Sequence, residues 1–310
     1  DMVFPVWPLF VTQVLGANMA VLGLLDGLGA AMVSLSQAAS GYLSDRIGKR
    51  KGFIWIGYLM GAASRVGYGL STAWQHLVAF KLLDRAGKMR GAPRDAMVAD
   101  VSTRGTRGSN FGLLRGADHL GAAVGVLICI LLFPRLGYRT LFMVAALPTL
   151  VGAGVVLAII RERPARGAEA FEGLALAGLG RDLKLLVMLS AVFALGAFSY
   201  SFLIVHAEEL GYQREFIPAL YLLLTVAASA LSYHFGWLAD RWGRRPVLAI
   251  AYGLWALVCL GCIYLRSEAL LPLIFLLFGS HKAALEPAQK AIVAEFAPEG
   301  LRASVLGGFN

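Results

Sequence analysis

The stretch Gly41–Tyr42–Leu43–Ser44–Asp45–Arg46–Ile47–Gly48–Lys49–Arg50 returns 195 residues later as Gly236–Trp237–Leu238–Ala239–Asp240–Arg241–Trp242–Gly243–Arg244–Arg245. Each copy lies between two long apolar runs, so a short charged hairpin joins segments that otherwise avoid water. Two copies of one junction imply a chain of two related halves, both embedded in a membrane.

The composition points the same way. The chain is 58% hydrophobic and 15% charged with a mean hydropathy of +0.69, against about 25% charge for a soluble domain. The runs Leu141–Ile160, Leu185–Val205 and Val247–Leu265 carry no charge and reach roughly the 20 residues that cross the hydrocarbon as helix. Backbone groups in lipid must be satisfied within their own segment, which makes these runs helices.

The net charge of +9 falls in short clusters in alternate loops, as membrane topology requires, and not in a nucleic-acid-binding surface. Cys129, Cys259 and Cys262 all sit inside apolar runs. Cys259 and Cys262 lack a second ligand pair, so they read as small packed residues and neither a metal site nor a cofactor is expected. No nucleophile–base pair or phosphate loop is present, so no enzyme is expected. Asp1 opens directly in an apolar run without a basic leader, which gives no cleavable signal peptide.

The expected spans are Met2–Ala17, Ala20–Leu43, Phe53–Gln75, Trp74–Val98, Phe111–Phe133 and Tyr138–Ile160, then Leu183–His206, Phe216–Leu238, Pro246–Leu265 and Leu270–Phe296, with an eleventh beginning before Asn310. Residues 161–182, with Pro164, clustered charges and several glycines, read as a linker between halves 1–160 and 183–310. The offset of 195 extends beyond the junction. Leu15–Gly16 falls on Leu210–Gly211; Ala96, Val98, Ala99 and Asp100 on Ala291, Val293, Ala294 and Glu295; Arg107, Ser109 and Gly112 on Arg302, Ser304 and Gly307. This is a parallel repeat of six helices per half, one of the known constructions of secondary transporters. The same offset places the start of the first span before residue 1, so a fragment of a roughly twelve-helix chain is expected.

Orientation follows from alternate loops. Arg46, Lys49, Arg50, Lys51, Arg104, Arg107, Arg161, Arg163, Arg166, Arg181, Lys184, Arg241, Arg244, Arg245 and Arg302 lie on one side; Arg135, Arg139, Arg214 and Arg266 lie on the other. Fifteen against four assigns both junctions and the linker to the cytoplasm, with a bacterial inner membrane the expected location.

The pattern G-x-L-[AS]-D-R-x-G-[RK]-R between the second and third spans, repeated between the eighth and ninth, resembles the signature loop of the major facilitator superfamily, and the resemblance covers essentially the whole chain. It implies an all-α membrane protein with a parallel six-plus-six helix repeat, truncated at both ends, and a transporter whose central cavity opens alternately to each side, lined by helices 1, 4, 7 and 10. The motif also has its own physics. Gly41 and Gly236 permit close helix approach, and Gly48 and Gly243 a tight turn. Asp45 and Asp240, at helix C-termini, oppose the dipole and need a partner from a neighbouring helix or an arginine. Gly41, Asp45, Arg46, Gly48, Arg50, Gly236, Asp240, Arg241, Gly243 and Arg245 are therefore candidates for a cytoplasmic gate, or for elements that only fix topology, with Asp100 and Glu295 closing it against the basic loops.

The segment Asp84–Asp95 resembles the fourth helix of a subgroup of bacterial permeases. Gly112, Gly116, Gly121 and Gly125 are spaced like the motif of drug antiporters, but Val126 stands where that motif has proline, and Lys81 matches the antiporter arginine only in charge.

An ionisable residue near mid-membrane costs at least ~2.5–3.5 kcal/mol on insertion scales, so each such residue is a functional candidate. Lys81, Asp84, Arg85 and Lys88 place opposite charges three and four residues apart on the fourth span. Arg115 faces Asp118 and His119 on the fifth; Lys282, Glu286 and Lys290 form one stripe on the tenth; Asp26 and Arg65 are further candidates, and His206 and His234 read as interfacial. The competing reading is that these charges only pair with each other. The expected function is secondary active transport of a small organic solute, anionic or zwitterionic given the excess of bases, by a monomer exchanging protons or a counter-solute. Multidrug efflux and a non-transporting receptor or assembly factor are the alternatives.

Overall fold

The protein is described by a computed structural model covering residues 2–3, 6–7, 10–162, 180–198, 203, 206–207, 210–212, 217–264, 268–298 and 300–309. Arg163, Arg166, Arg214, Arg266, most of the linker and the end of the seventh span lie outside these residues.

Regular structure among them is entirely helical. After a π-helical turn at Phe10–Val14, the helices are α1 (Met19–Ile47), α2 (Lys51–Leu70), α3 (Trp74–Ala86), α4 (Gly91–Val101), α5 (Arg107–Val144), α6 (Ala146–Ile159), α7 (Arg181–Gly196), α8 (Ile217–Trp242), α9 (Arg244–Tyr264), α10 (Leu271–Phe296) and α11 (Arg302–Phe309). Asn18 starts α1 by accepting the Val21 amide at 2.9 Å, relieving one of the orphan donors at a helix start. Gly48 stops it at φ +70°, and Gly243 makes the equivalent stop after α8 at φ +96°. L side chains avoid this left-handed region, so both junction glycines are demanded by the turn itself.

The fourth and seventh spans differ from the sequence expectation. The fourth is not one helix: α3 and α4 are separated by a 3₁₀ turn, Gly87–Arg90. In the seventh, α7 ends at Gly196, and Ala197 and Phe198 are non-helical, short of His206. The fifth and sixth spans part between Phe133 and Tyr138 as expected, at Gly137, where φ is +63°, just after Pro134.

The chain packs as two compact units. The first comprises residues 1–100, 128–174 and 297–310, the second residues 101–127 and 175–296. These units exchange elements relative to the sequence repeat: α11 packs on α1 in the first, and the start of α5 belongs with α8 in the second. In the first unit α2 also packs on α3 and α6, around an aromatic core in which Phe10 meets Phe142 edge-on at 4.7 Å and Trp7 meets Tyr68 at 4.8 Å. In the second, α8 and α9 both pack on α10, around Trp255, Phe275 and Phe278.

Large apolar side chains also cover the outside, among them Leu35, Val151, Ile159, Leu195 and Ile263. Such a surface suits lipid and not water. Residues 20–47, 107–159, 218–242 and 244–264 are long and apolar enough to cross a membrane.

Candidate functional site

The first junction is built around a carboxylate that caps a helix other than its own. Asp45, in the last turn of α1 and 3% exposed, accepts the Ser304 amide at 2.7 Å and the Ser304 hydroxyl at 2.8 Å. Ser304 is in the first turn of α11, where amides lack intrahelical partners and the dipole favours an anion. Arg50, also 3% exposed, donates to Asp45 at 3.2 Å and to Asp100 at the end of α4; Arg302 donates to Asp100 at 2.8 Å. Asp45–Arg50–Asp100–Arg302 is thus a continuous chain of alternating charge. Backbone contact allows it: a Cβ on Gly41 would run into the Ala303 carbonyl, and one on Gly307 into the Gln37 carbonyl.

The second junction repeats this with the repeat's own residues. Asp240 accepts the amides of Gly108 and Ser109 and the Ser109 hydroxyl, each at 2.7 Å, in the first turn of α5. A Cβ on Gly236 would strike the Gly108 carbonyl, and one on Gly112 the Ser232 carbonyl. Ser109, Gly108 and Gly112 are the residues 195 positions before Ser304, Ala303 and Gly307, and Ser232 lies 195 after Gln37.

The ion pairs are not copied so faithfully. Glu295 is held by Arg244, and by Arg104 at 3.7 Å, and Arg244 also donates to the Arg104 carbonyl at 3.0 Å. The sequence repeat points to Arg245, the counterpart of Arg50, but Arg245 is exposed and Arg244, one residue earlier, takes the acid. Arg46 and Arg241 are likewise exposed, Arg241 lying over the Trp237 ring at 5.2 Å. A cavity of about 430 Å³ opens beside this junction, lined by Asp240, Arg244, Arg245 and Glu295 among others.

The structure brings most of the predicted intramembrane charges of the second unit into one group. His119 Nε2 on α5 lies 3.3 Å from a Glu286 oxygen on α10, Lys282 lies 3.7 Å from the other oxygen, and Arg115 donates to Asp118 at 3.1 Å. His119 is twelve residues into α5 and Glu286 ten residues before the end of α10, about 18 and 15 Å along their helices, near the middle of a ~30 Å hydrocarbon layer. Lys290, one turn further along α10, is buried.

In the first unit the expected pairing within one helix is replaced. Lys81 pairs with Asp26 of α1 at 2.8 Å and stands 4.2 Å from the Trp7 ring centroid. Asp84 is nearest Arg85, at 3.8 Å. Asp84 and Lys88, four residues apart across the 3₁₀ turn, form no ion pair.

Several partners were not singled out as functional from the sequence. Ser304 and Ser109 enter the sequence reading only through the repeat, and Arg104, Arg244 and Arg302 only through the repeat or the charge count. The signal that identifies the serines is the offset itself, since both fall in the first turn of a span facing a junction acid.

A sequence model of the Major Facilitator Superfamily matches residues 1–310. An uncharacterized MFS-type transporter of Methanocaldococcus jannaschii is 34% identical over 319 residues, covering 100% of this chain and 79% of that protein. The multidrug transporter QDR2 of Candida glabrata is 31% identical over 119 residues, 38% of this chain and 19% of that protein. Among solved structures, a double-tryptophan mutant of XylE superposes with a TM-score of 0.77 at 16% identity, over 99% of this chain and 79% of that one. The human organic anion transporter MFSD10 gives a TM-score of 0.66 at 18% identity, over 97% and 78%.

Proposed function

The chain belongs to the Major Facilitator Superfamily, as an integral membrane transporter and not an enzyme, and from that premise we propose that it is a proton-coupled secondary transporter of a small organic solute working by alternating access. The observation that carries the coupling is the contact of His119 with Glu286 at 3.3 Å, near the middle of two helices. A carboxylate and an imidazole in contact can pass on one proton, and Lys282 offers the carboxylate a second partner when the first is lost. The candidate coupling group is therefore Glu286, His119 and Lys282, with Arg115 and Asp118 beside it on α5. Each junction is a latch, Asp45 on α11 and Asp240 on α5, that closes in one state and opens in another. The fifteen-to-four charge asymmetry supports latches facing the cytoplasm, and the archaeal relative supports a prokaryotic plasma membrane.

The test is solute accumulation by proteoliposomes carrying the purified protein under an imposed pH gradient. Glu286→Gln is expected to abolish gradient-driven accumulation and to keep exchange of labelled for unlabelled solute. Undiminished accumulation in both Glu286→Gln and His119→Gln would overturn proton coupling through this group.

Multidrug efflux is a second reading, supported by the likeness to QDR2 and by Gly112 and Gly116, whose positions on α5 abut α8. Deletion of the gene with no change in drug susceptibility would count against it.

A further inference from the structure

We propose that the first unit holds a binding site for a small organic dianion, a dicarboxylate or a phosphate monoester, centred on Lys88 in the 3₁₀ turn between α3 and α4. The inference rests on the transporter reading and adds the substrate class to it.

Apart from the junction, the segment from α1 to α4 carries six cations, Arg65, Lys81, Arg85, Lys88, Arg90 and Arg94, and three carboxylates, Asp26, Asp84 and Asp95. The carboxylates are taken: Asp26 by Lys81, Asp84 by Arg85 and Asp95 by Arg94. Among the described residues no carboxylate lies within ion-pair distance of Arg65, Lys88 or Arg90. Arg65 donates to the Gly61 carbonyl and Arg90 to the Gly87 carbonyl, both at 2.8 Å, and Arg90 lies over the Tyr58 ring at 4.7 Å. These contacts use a small part of each guanidinium's five donors. The Lys88 ammonium makes no hydrogen bond or ion pair among the described residues, and Arg90, Arg85 and Arg65 act on it repulsively against attraction from Asp84.

Lys88 lies thirteen residues before the end of α4, about 20 Å along the span. A charge at that depth is costly unless paired, and several together are more so. A ligand with two negative charges relieves that cost where the protein's own side chains do not.

The backbone gives an independent indication. A mid-span 3₁₀ turn often marks a functional hinge, and transporter sites are commonly formed where a helix is interrupted. Here the turn is held from the other side: a Cβ on Gly87 would meet the Gly57 carbonyl at 2.7 Å, and Ser40 donates to the Met89 carbonyl at 2.7 Å. The Gly57–Gly87 crossing thus fixes the position of Lys88 while leaving its charge unanswered.

The test is ligand binding to the purified full chain in detergent, by thermal shift and calorimetry, with succinate, glycerol 3-phosphate and glycerol as probes. At least one dianion is expected to raise the melting temperature, and glycerol to leave it unchanged; which dianion binds assigns the carboxylate or the phosphate. Lys88→Met is expected to weaken that dianion at least tenfold, to leave the ligand-free melting temperature equal or higher, and Lys88→Arg to restore most of the binding. Stabilisation by neither dianion, or binding that survives Lys88→Met, overturns the site. A Lys88→Met protein that melts lower without ligand assigns the lysine to packing and overturns it also. Binding is read without a gradient, so these outcomes are separate from failure of proton-driven transport, which the proteoliposome assay reports.

Discussion

At the first junction a carboxylate caps α11 and is joined through Arg50 to Asp100 and Arg302; at the second, its counterpart caps α5 with two amides, and the arginine that serves the next acid, Glu295, makes no hydrogen bond to it. The helix contact is conserved by the repeat because it depends on backbone: glycine at the crossing, free amides in a first turn and a serine three residues in. The ion pair is not conserved because arginine is long and reaches an acid from either of two neighbouring positions. What repeats in this molecule is where chains touch, and what varies is how the charge is wired.

The largest effect expected from that difference is on neutralising the two aspartates. Asparagine keeps an acceptor oxygen for the helix amides but loses the charge. At the first junction Asp45→Asn leaves the buried Arg50 with one acid in place of two, and breaking a buried pair is strongly destabilising, typically ~3–5 kcal/mol. Hydrogen-exchange protection of the 302–309 segment should fall on the order of tenfold or more. At the second junction Asp240→Asn breaks no arginine hydrogen bond, and protection of residues 107–112 should fall about fivefold or less, since capping by a charge is worth roughly 0.3–1 kcal/mol. Equal losses at both ends would break the comparison.

The arginine register is tested next. Arg244→Ala removes the partner of Glu295 and the bond to the Arg104 carbonyl, whereas Arg245→Ala removes an exposed side chain. Exposed ion-pair positions contribute ~0–1 kcal/mol. The first substitution is therefore expected to change initial transport rates several-fold and the second less than about twofold. A larger effect from Arg245→Ala would restore the assignment that the offset alone suggests.

These cases also indicate how far a sequence reads into such a structure. Helix order, membrane class and the pairing of the two junctions follow from local composition and from one repeat distance, because apolar length and backbone-limited crossings leave few alternatives. The partners of Asp45 and Asp240 were nearly legible: the need for a neighbouring helix was stated from the dipole, and the serines stood at the right offset. The exchange of α11 and the start of α5 between packing units was not, since a repeat gives equivalence and not adjacency. The expected pairing of Asp84 with Lys88 is not made, and the reason is local. That pairing assumes an unbroken α-helix across Gly87, where α2 packs against the backbone and the chain tightens into a 3₁₀ turn. Lys81 meeting Asp26, and His119 meeting Glu286, are contacts between helices that no spacing within one helix encodes.

The smallest expected effect is the most direct test of the shared part of the two junctions. Ser304→Ala and Ser109→Ala each remove one hydroxyl donor to an aspartate, at 2.8 and 2.7 Å, and leave the backbone amides in place. A hydrogen bond contributes ~0.5–1.5 kcal/mol net, and here the acid keeps its other donors, so the loss should sit near the lower end of that range. Melting temperatures of the two variants should drop by similar small amounts, because this contact is the one the repeat copies atom for atom. If the alanine at 304 were much the more damaging, the Arg50 chain would be leaning on the cap, and the helix contact and the charge wiring would form one coupled device at the first junction. A double substitution with Arg50→Ala separates these cases, since independent contacts add and coupled ones do not.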